Sequence, residues 1–319
     1  MVDGVDKLLR RYPDSPVIDD LLGTLDADAI RSQVRALEPE TAEIFYFAAS
    51  VGALFGVRRH DGSRVAIKVN KLFTDEAYFA EVQELQERLA DAGFPAPRPV
   101  ALRGTVTIDQ WIDAGDFRNA HEPAVRKAMA RELVRFQRLA TETDLRPRRA
   151  FLRPEGALWP RPHNVLFDFE ATTAGAEWID EIAATARAIT DRNVGIEFVG
   201  HTDWSAKHLR FGPQLELTAL YDWDSVTTDL EPSLVGTAAA SFTYTEELDE
   251  DIDVWPSAAE SLAFIAEYEE ERGRPFDEDE RTATRAACAY LRAYAARCHH
   301  AFGGDARESG LAEFAGALL

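Results

Sequence analysis

The chain has 319 residues, of which 46% are hydrophobic and 29% are charged, and its formal net charge is −21 at pH 7. Its length is sufficient for two packed lobes with sizeable cores. The excess of 56 acidic over 35 basic residues argues against nucleic acid and anionic membranes as partners, because both repel a negative surface. A cationic small molecule would be attracted, although the alternative interpretation is that the charge serves solubility alone.

The two cysteines, Cys288 and Cys298, are ten residues apart, which on a helix places them on different faces. They form neither a disulfide framework nor a zinc-ligand spacing, so we expect a reducing compartment. The chain opens without a charged-then-apolar signal segment, and apolar stretches such as 51–57 are far too short to cross a bilayer. The expectation is a cytoplasmic protein with no membrane partner, and the sequence does not indicate its oligomeric state.

An antiparallel sheet is predicted for the first part of the chain, after short helices within residues 1–40. Strands are expected at 43–48, 53–59, 65–70 and 106–111, with an Asp61-Gly62 turn before the third strand. In that third strand Val65 and Ile67 share one face, and Lys68 lies on the opposite face. A lysine on such a face can act as a point charge against phosphate oxygens.

One helix is predicted to pack on this sheet, with Thr74 as its N-cap and Gly93 just past its end. Its apolar stripe consists of Tyr78, Val82, Leu85 and Leu89. A phosphate-binding lysine needs a carboxylate to hold its ammonium group, and Glu81 and Glu84 are the candidates on this helix. Glu81 borders the stripe whereas Glu84 lies further toward solvent, so Glu81 is the better candidate.

The remainder of the chain is predicted to be mainly helical. Helices are expected at 122–140, at 177–188 and from 277 to about 301, where Asp277 and Glu280 form a capping pattern. One short β region is expected between them, at 196–199, 209–211 and 215–221. A sheet that is segregated from a helical part defines the α+β class, and we predict an N-terminal domain over 1–112 and a C-terminal domain over 113–319.

Two acidic motifs occupy the ends of the predicted C-terminal strands. The first runs from His201-Thr202-Asp203 to His208, and the second is Asp222-Trp223-Asp224. Phosphoryl transfer needs a carboxylate beside the attacking hydroxyl, which suits Asp203, and hard oxygen ligands for a metal ion, which suits Asp222. Each motif alone indicates little, but the ordered set of lysine, base and metal ligand, each on the element its role requires, indicates phosphoryl transfer.

This set resembles the kinase signature, and specifically that of the aminoglycoside phosphotransferase and choline-kinase-like family of small-molecule kinases, over residues 43–301. The resemblance implies a protein-kinase-like two-lobed fold and transfer of the γ-phosphoryl group of ATP, with Mg²⁺, to a hydroxyl of a small molecule. It implies that Lys68 holds the α- and β-phosphates, that Glu81 orients Lys68, and that Asp203 is the catalytic base. Asp222 would be the principal Mg²⁺ ligand, and Asp224 would be either a secondary ligand or a group that supports the ligands without contacting the metal.

The resemblance also implies the nucleotide contacts. Residues 49–56, with Ser50 and Gly52, would form the loop over the phosphates, and Gln110 to Ile112 would form the hinge beside adenine. The acceptor it implies is a small, cationic polyol such as an aminoglycoside or an amino sugar. Choline-like alcohols, homoserine-like metabolites and macrolides remain open.

The sequence departs from kinase patterns at several positions. It lacks the Ala-Pro-Glu of protein kinases, and Asp222-Trp223-Asp224 replaces Asp-Phe-Gly, which favours a small-molecule acceptor over a protein. His208 stands where the small-molecule kinases have Asn, and imidazole is a poorer partner for Mg²⁺ than oxygen. His208 therefore either binds the metal or hydrogen-bonds the loop and leaves the metal to the two aspartates. The alternative function is a catalytically silent nucleotide- or ligand-binding pseudokinase.

An acidic segment, residues 246–253, resembles part of a calcium-binding loop. Asp249, Asp251, Asp253 and Glu260 have the right spacing, but Val254 stands where that loop requires glycine. We therefore interpret the segment as a solvated surface or as the rim of a pocket for a cationic substrate.

Overall fold

The computed structural model describes residues 3–72, 75–148, 154, 156–249 and 251–319, and of Glu308 it describes the backbone only. Contacts group the chain into two compact units: Met1–Glu87, Pro97–Ile112 and Pro162–Phe167 in the first, and Arg88–Ala96, Asp113–Arg161 and Asp168–Leu319 in the second. The domain division at residue 112 stays a prediction. None of the helices in the described ranges combines the length and hydropathy of a membrane span.

The first unit is built on a five-stranded antiparallel sheet with the strand order β1-β2-β3-β5-β4. The strands are β1 (Thr41–Ala49), β2 (Gly52–Arg59), β3 (Arg64–Asn70), β4 (Pro99–Arg103) and β5 (Val106–Gln110). The helices are α1 (Gly4–Arg11), α2 (Pro16–Leu22), α3 (Ala27–Leu37) and α4 (Glu76–Asp91), of which residues 76–87 belong to this unit.

The predicted strands and the short N-terminal helices are confirmed, with one extra strand and one shorter loop. Strand β4 was not foreseen: it begins at Pro99, and an edge strand can start with a residue that lacks an N–H donor. The expected phosphate loop over 49–56 was wrong in its extent. Ala49 already pairs with Ala53, so three residues, 50–52, turn the chain between β1 and β2, and Gly52 already pairs with Asn70 of β3.

The two faces of this sheet have different partners. Val65 and Ile67 of β3 lie in a core that also contains Val5 of α1 and Ile30 of α3, so the N-terminal helices cover that face. Alternation along β3 puts Lys68 on the other face. Gln83 of α4 donates a hydrogen bond to the backbone oxygen of Ala101 in β4 and lies 3.4 Å from a carboxylate oxygen of Asp109. Asp109 is paired with Ala66, so α4 covers the face that carries Lys68.

The start of α4 is held by an aspartate. The predicted cap, Thr74, lies outside the described residues. The carboxylate of Asp75 accepts hydrogen bonds from the N–H groups of Ala77, at 3.0 Å, and Tyr78, at 3.3 Å. These N–H groups have no partner within the helix, so the carboxylate stabilises the first turn.

The second unit consists mainly of helices. They are α5 (Pro123–Thr141), α6 (Glu177–Thr190), α7 (Glu231–Ser241), α8 (Ala258–Arg272), α9 (Glu278–Ala301) and α10 (Leu311–Leu318), with short 3-10 turns at Trp223–Ser225 and Ala306–Ser309. Four short strands form two antiparallel pairs, β6 (Glu197–His201) with β9 (Val226–Leu230) and β7 (Leu209–Phe211) with β8 (Leu217–Leu220).

The three predicted C-terminal helices are confirmed as α5, α6 and α9, including the capping box between Asp277 and Glu280. The single β region was wrong: it is two separate strand pairs, and β9 was not foreseen. The predicted strand 215–221 is shorter because Leu215 has a φ of 57°, which an extended strand does not allow. Helices α8 and α10 were not foreseen either.

Helix α7 was also not foreseen, and its surroundings show why. All of its residues are buried, so it has no polar face and no amphipathic period to detect. Gly236 allows its close contact with α9, because a Cβ atom there would lie 2.2 Å from the backbone oxygen of Thr284. The hydroxyl of Ser261 in α8 donates to the backbone oxygen of Ala239 in α7 at 2.8 Å. The helix is therefore specified by its neighbours rather than by its own pattern.

Candidate active site

The loop from residue 202 to residue 208 connects β6 to β7 and is fixed from several sides. The N–H and the hydroxyl of Thr202 both donate to the backbone oxygen of Ser225, at 2.8 and 2.9 Å. The N–H of Ala206 donates to the backbone oxygen of Phe242 at 2.9 Å. Trp204 is fully buried, and its indole N–H donates to the backbone oxygen of Met129 in α5 at 3.2 Å. The loop that carries Asp203 is therefore preorganised by the helical core.

His201 connects the two acidic motifs. Its ring is buried; Nδ1 accepts the N–H of Asp203 at 3.2 Å, and Nε2 lies 3.0 Å from the backbone oxygen of Tyr221. Burial lowers the pKa of His201, which favours the neutral imidazole with its proton on Nε2. Sequence reasoning gave His201 no role of its own, although its position two residues before Asp203 was the available signal.

Asp222 adopts a backbone conformation that is uncommon for a residue with a side chain. Its φ and ψ are 63° and 48°, in the left-handed region, where aspartate is among the better tolerated residues. The hydroxyl of Ser225 donates to the Asp222 carboxylate at 2.8 Å, and the N–H of Ser225 donates to the Asp222 backbone oxygen at 2.9 Å. Such conformations concentrate at functional sites, where the surrounding structure holds them in place.

The side chains of Asp203 and His208 form a hydrogen-bonded pair. Nε2 of His208 lies 2.9 Å from one oxygen of Asp203, and the hydroxyl of Ser205 donates to the other oxygen at 3.1 Å. The Asp203 side chain is 42% exposed and that of His208 is 12% exposed, so the carboxylate can meet a substrate while the imidazole is enclosed. The backbone fixes His208 as well, through its N–H to Ser205 and its carbonyl oxygen, which accepts from Tyr221.

The pKa values of this pair shift in opposite directions. Burial alone would raise the pKa of Asp203, but the charge and hydrogen bond of His208 lower it from 3.8 to about 2. Burial alone would lower the pKa of His208, but the charges of Asp203 and Asp222 and the hydrogen bond to Asp203 raise it above 6.5. Asp203 therefore remains ionised at neutral pH, and its carboxylate favours the protonated form of His208.

The donor set at this site fits a divalent metal ion. In the described part of the chain one metal-like group occurs, in which ligand atoms of Asp203, His208 and Asp222 all lie within 4.8 Å of one another. Ligands at about 2.0–2.2 Å from an ion lie roughly 3 Å apart when adjacent and up to about 4.4 Å apart when opposite, so the three groups would close around an ion by drawing nearer to one another. Asp224, which is buried, does not belong to this group, and its metal role stays a prediction.

The nucleotide-contact candidates belong to the first unit. A Cβ atom on Gly52 would lie 2.8 Å from the backbone oxygen of Val69 and 3.4 Å from Cε of Lys68, so β2 approaches the lysine closely only because residue 52 is glycine. Lys68 and Glu81 are half-buried whereas Glu84 is exposed, which agrees with the preference for Glu81 over Glu84 as the candidate partner of Lys68. The binding roles of these residues stay predictions.

The remaining predicted contacts lie at the β1–β2 turn and at the end of the interior strand β5. Ser50 is exposed at the β1–β2 turn, and Gln110 ends β5 with its N–H donated to the backbone oxygen of Arg98 at 2.8 Å. Ile112 follows β5 and is half-buried. Their contacts with phosphate and adenine stay predictions.

Solved structures of similar fold include several small-molecule kinases. The amicoumacin kinase hAmiN, solved with AMP-PNP, Ca²⁺ and Ami, matches with a TM-score of 0.63 at 12% identity, over 92% of this chain and 93% of that one. The ethanolamine kinase of Plasmodium vivax matches with a TM-score of 0.58 at 10% identity, over 99% of this chain and 93% of that one. A spectinomycin phosphotransferase, APH(9)-Ia, solved with ADP and spectinomycin, matches with a TM-score of 0.52 at 12% identity, over 90% of this chain and 93% of that one.

These matches define the class of fold. Comparison with protein-family models gave no match, and neither did comparison with curated sequences. The chain has the protein-kinase-like α+β fold that aminoglycoside phosphotransferases and choline and ethanolamine kinases share. The fold predicted from the sequence resemblance is thereby confirmed.

Proposed function

We propose that the protein is an ATP-dependent phosphotransferase that moves the γ-phosphoryl group to a hydroxyl of a small, cationic molecule, with a divalent metal ion. The resemblance implies Mg²⁺ as that ion. The observation that carries the proposal is the grouping of Asp203, His208 and Asp222 within 4.8 Å, in a chain with the fold of small-molecule kinases. The alternative of a protein kinase has no support from any of the neighbours described above.

Asp203 is the proposed catalytic base. The acceptor oxygen attacks the γ-phosphorus, the bond from that phosphorus to the bridging oxygen of ADP breaks, and the hydroxyl proton passes to the Asp203 carboxylate. A pKa of about 2 makes Asp203 a weak base. This is compatible with phosphoryl transfer through a loose transition state, in which positioning of the hydroxyl matters more than early proton removal. Ser205 holds one carboxylate oxygen and so helps to fix its direction, and His208 holds the other before a metal ion binds.

Asp222 and His208 are the proposed metal ligands, with Asp224 behind them. A bound divalent ion would neutralise charge on the phosphates during transfer. The left-handed backbone at Asp222 and its bond from Ser225 hold the carboxylate in place before any ion binds, which lowers the cost of ordering it.

Lys68 is proposed to bind the phosphates, with Glu81 as the carboxylate that orients it. Ser50 and Gly52 would contribute backbone contacts at the hairpin tip, and Gln110 and Ile112 would contact adenine. The support for Lys68 is its half-buried position on the sheet face that α4 covers, beside a glycine that keeps the neighbouring strand close.

A cationic acceptor is supported by the net charge of −21 and by the neighbours, whose solved complexes contain Ami and spectinomycin. The acidic segment 246–253 contributes less than its composition suggests. Glu246 pairs with Lys207 at 3.3 Å, and Glu247 pairs with Arg210 at 2.6 Å, so these two carboxylates already have cationic partners.

The test is a phosphoryl-transfer assay with labelled ATP over a panel of aminoglycosides, amino sugars, choline, ethanolamine, homoserine and macrolides. We expect transfer to at least one hydroxylated amine, and a loss of roughly 100-fold or more in kcat for Asp203→Asn. Asp279→Asn, the same substitution at an exposed position in the first turn of α9, is the matched control and should keep full activity. Transfer that is equally fast in Asp203→Asn would refute the proposal.

A second candidate is a catalytically silent protein that binds nucleotide without turnover. The hydrogen bond between Asp203 and His208 favours it, because a carboxylate that already accepts a hydrogen bond is a poorer proton acceptor. Binding of AMP-PNP and a metal ion, combined with no transfer to any acceptor in the panel, would select this second function.

A further inference from the structure

His208 introduces a nitrogen ligand into a site that the proposed function would otherwise build from oxygen. The group of Asp203, His208 and Asp222 offers two carboxylates and one imidazole, with all ligand atoms within 4.8 Å. Mg²⁺ binds oxygen almost exclusively and gives up its water ligands reluctantly. A first-row transition metal accepts imidazole readily, and its affinity for nitrogen-containing sites exceeds that of Mg²⁺.

We propose that this metal site selects Mn²⁺ over Mg²⁺, because His208 provides an imidazole ligand beside Asp222. The inference rests on the proposed function, since the ion would act there in phosphoryl transfer. Mn²⁺ accepts the octahedral oxygen ligands that a triphosphate provides, and it belongs to the first-row divalent metals that bind mixed nitrogen and oxygen sites, at the low-affinity end of that series. Zn²⁺ fits less well because its protein sites are mostly tetrahedral.

The position of His208 is determined by the fold. Its N–H donates to the backbone oxygen of Ser205, and its own backbone oxygen accepts the N–H of Tyr221, the residue before Asp222. These two bonds place His208 between the two acidic motifs. Its imidazole is 12% exposed and has one nitrogen 2.9 Å from the Asp203 carboxylate. A ligand atom of Asp222 lies within 4.8 Å of this ring, so an ion on Asp222 would meet the imidazole in place of its hydrogen bond to Asp203.

The competing explanation is that His208 only supports Asp203 by a hydrogen bond. An asparagine amide could make the same bond, so this explanation predicts that His208→Asn leaves the metal preference unchanged. The two explanations therefore differ in a measurement of metal binding that does not depend on catalysis.

The experiment measures Mn²⁺ binding to the full chain in the presence of AMP-PNP by electron paramagnetic resonance, with Mg²⁺ as competitor. For the wild type we expect Mn²⁺ to bind at least tenfold more tightly than Mg²⁺, and pulsed spectra to show coupling of bound Mn²⁺ to an imidazole ¹⁴N nucleus. In His208→Asn the ¹⁴N coupling should disappear, and Mn²⁺ affinity should fall roughly tenfold while Mg²⁺ affinity changes little.

His60→Asn is the control, because His60 is exposed in the turn after β2 and should leave both affinities and the spectrum unchanged. Absence of ¹⁴N coupling in the wild type, or an unchanged Mn²⁺ affinity in His208→Asn, overturns the inference. If the ¹⁴N coupling is present but no acceptor is phosphorylated, the proposed function fails and the metal assignment stands. If acceptors are phosphorylated but the ¹⁴N coupling is absent, the metal assignment fails and the proposed function stands.

Discussion

Substitution of Gly52 by alanine tests whether the β1–β2 hairpin and Lys68 form one nucleotide-binding feature. The added Cβ atom would lie 2.8 Å from the backbone oxygen of Val69, closer than Cβ atoms approach other atoms, and 3.4 Å from Cε of Lys68. The first contact is with backbone in a paired strand, so it cannot be relieved by rotation of a side chain. Strand β2 or β3 must move by several tenths of an ångström.

The magnitude follows from two opposing effects. Overpacking of a well-packed site costs about 1–3 kcal/mol. Replacement of glycine reduces the entropy of the unfolded chain and returns about 0.4–1 kcal/mol. The net loss in the free energy of unfolding is therefore about 1–2 kcal/mol, which corresponds to a Tm lower by a few degrees. Because Lys68 is displaced as well, we expect kcat/KM to fall roughly tenfold or more.

The assays are thermal unfolding, AMP-PNP affinity by calorimetry, and phosphoryl transfer. The matched control is Gly316→Ala in α10, where no atom lies within 4 Å of the new Cβ and alanine should stabilise the helix by about 0.5–1 kcal/mol. A Gly52→Ala protein with unchanged Tm would refute the packing argument. A lower Tm with unchanged AMP-PNP affinity would refute the phosphate role of the hairpin and of Lys68.

Three further outcomes are expected. His208→Asn should retain or raise Mg²⁺-supported transfer and lower Mn²⁺-supported transfer, and an activity loss in both metals as large as that of Asp203→Asn would contradict this view. Gly236→Ala should lower the free energy of unfolding by about 1–3 kcal/mol in denaturant titrations, since its Cβ would lie 2.2 Å from the backbone oxygen of Thr284. Unchanged stability would show that α7 and α9 can move apart with little loss of free energy. Burial raises the pKa of Cys288 and of Cys298 from 9.0 to about 12, so both thiols should resist alkylation at pH 8 until the protein is unfolded. Between pH 9 and 12 the thiols of the unfolded protein lose protons that those of the folded protein keep, so the free energy of unfolding should fall as the pH rises through that window. Rapid alkylation of the native protein at pH 8 would contradict the raised pKa of these thiols.

With histidine rather than asparagine at position 208, metal binding at this site is coupled to the protonation of that side chain. An amide at position 208 would carry no charge, whereas the two neighbouring carboxylates raise the pKa of the imidazole, and a protonated imidazole nitrogen must lose its proton before it can bind a metal ion. Metal binding through this nitrogen and the release of Asp203 from its hydrogen bond are therefore linked. The loaded site and the empty site differ in the state of the proposed base.

Local sequence patterns determined much of the fold. The alternation in β3 placed Val65 and Ile67 in the core and Lys68 on the opposite face, and the apolar stripe of α4 separated half-buried Glu81 from exposed Glu84. The capping box of α9 could be predicted because its two partners, Asp277 and Glu280, are three residues apart. Each of these features depends on residues within one or two turns of one another, so the sequence pattern alone contains the information.

The tertiary structure decided how the acidic motifs are arranged. The sequence singled out Asp203, His208 and Asp222, but not the left-handed backbone of Asp222 nor the bridging imidazole of His201. It also missed α7, whose every face is buried, and read two strand pairs as one region. Apart from the hydrogen bonds between Ser225 and Asp222, these features depend on contacts between segments about twenty or more residues apart, whose packing and hydrogen bonds no local periodicity records.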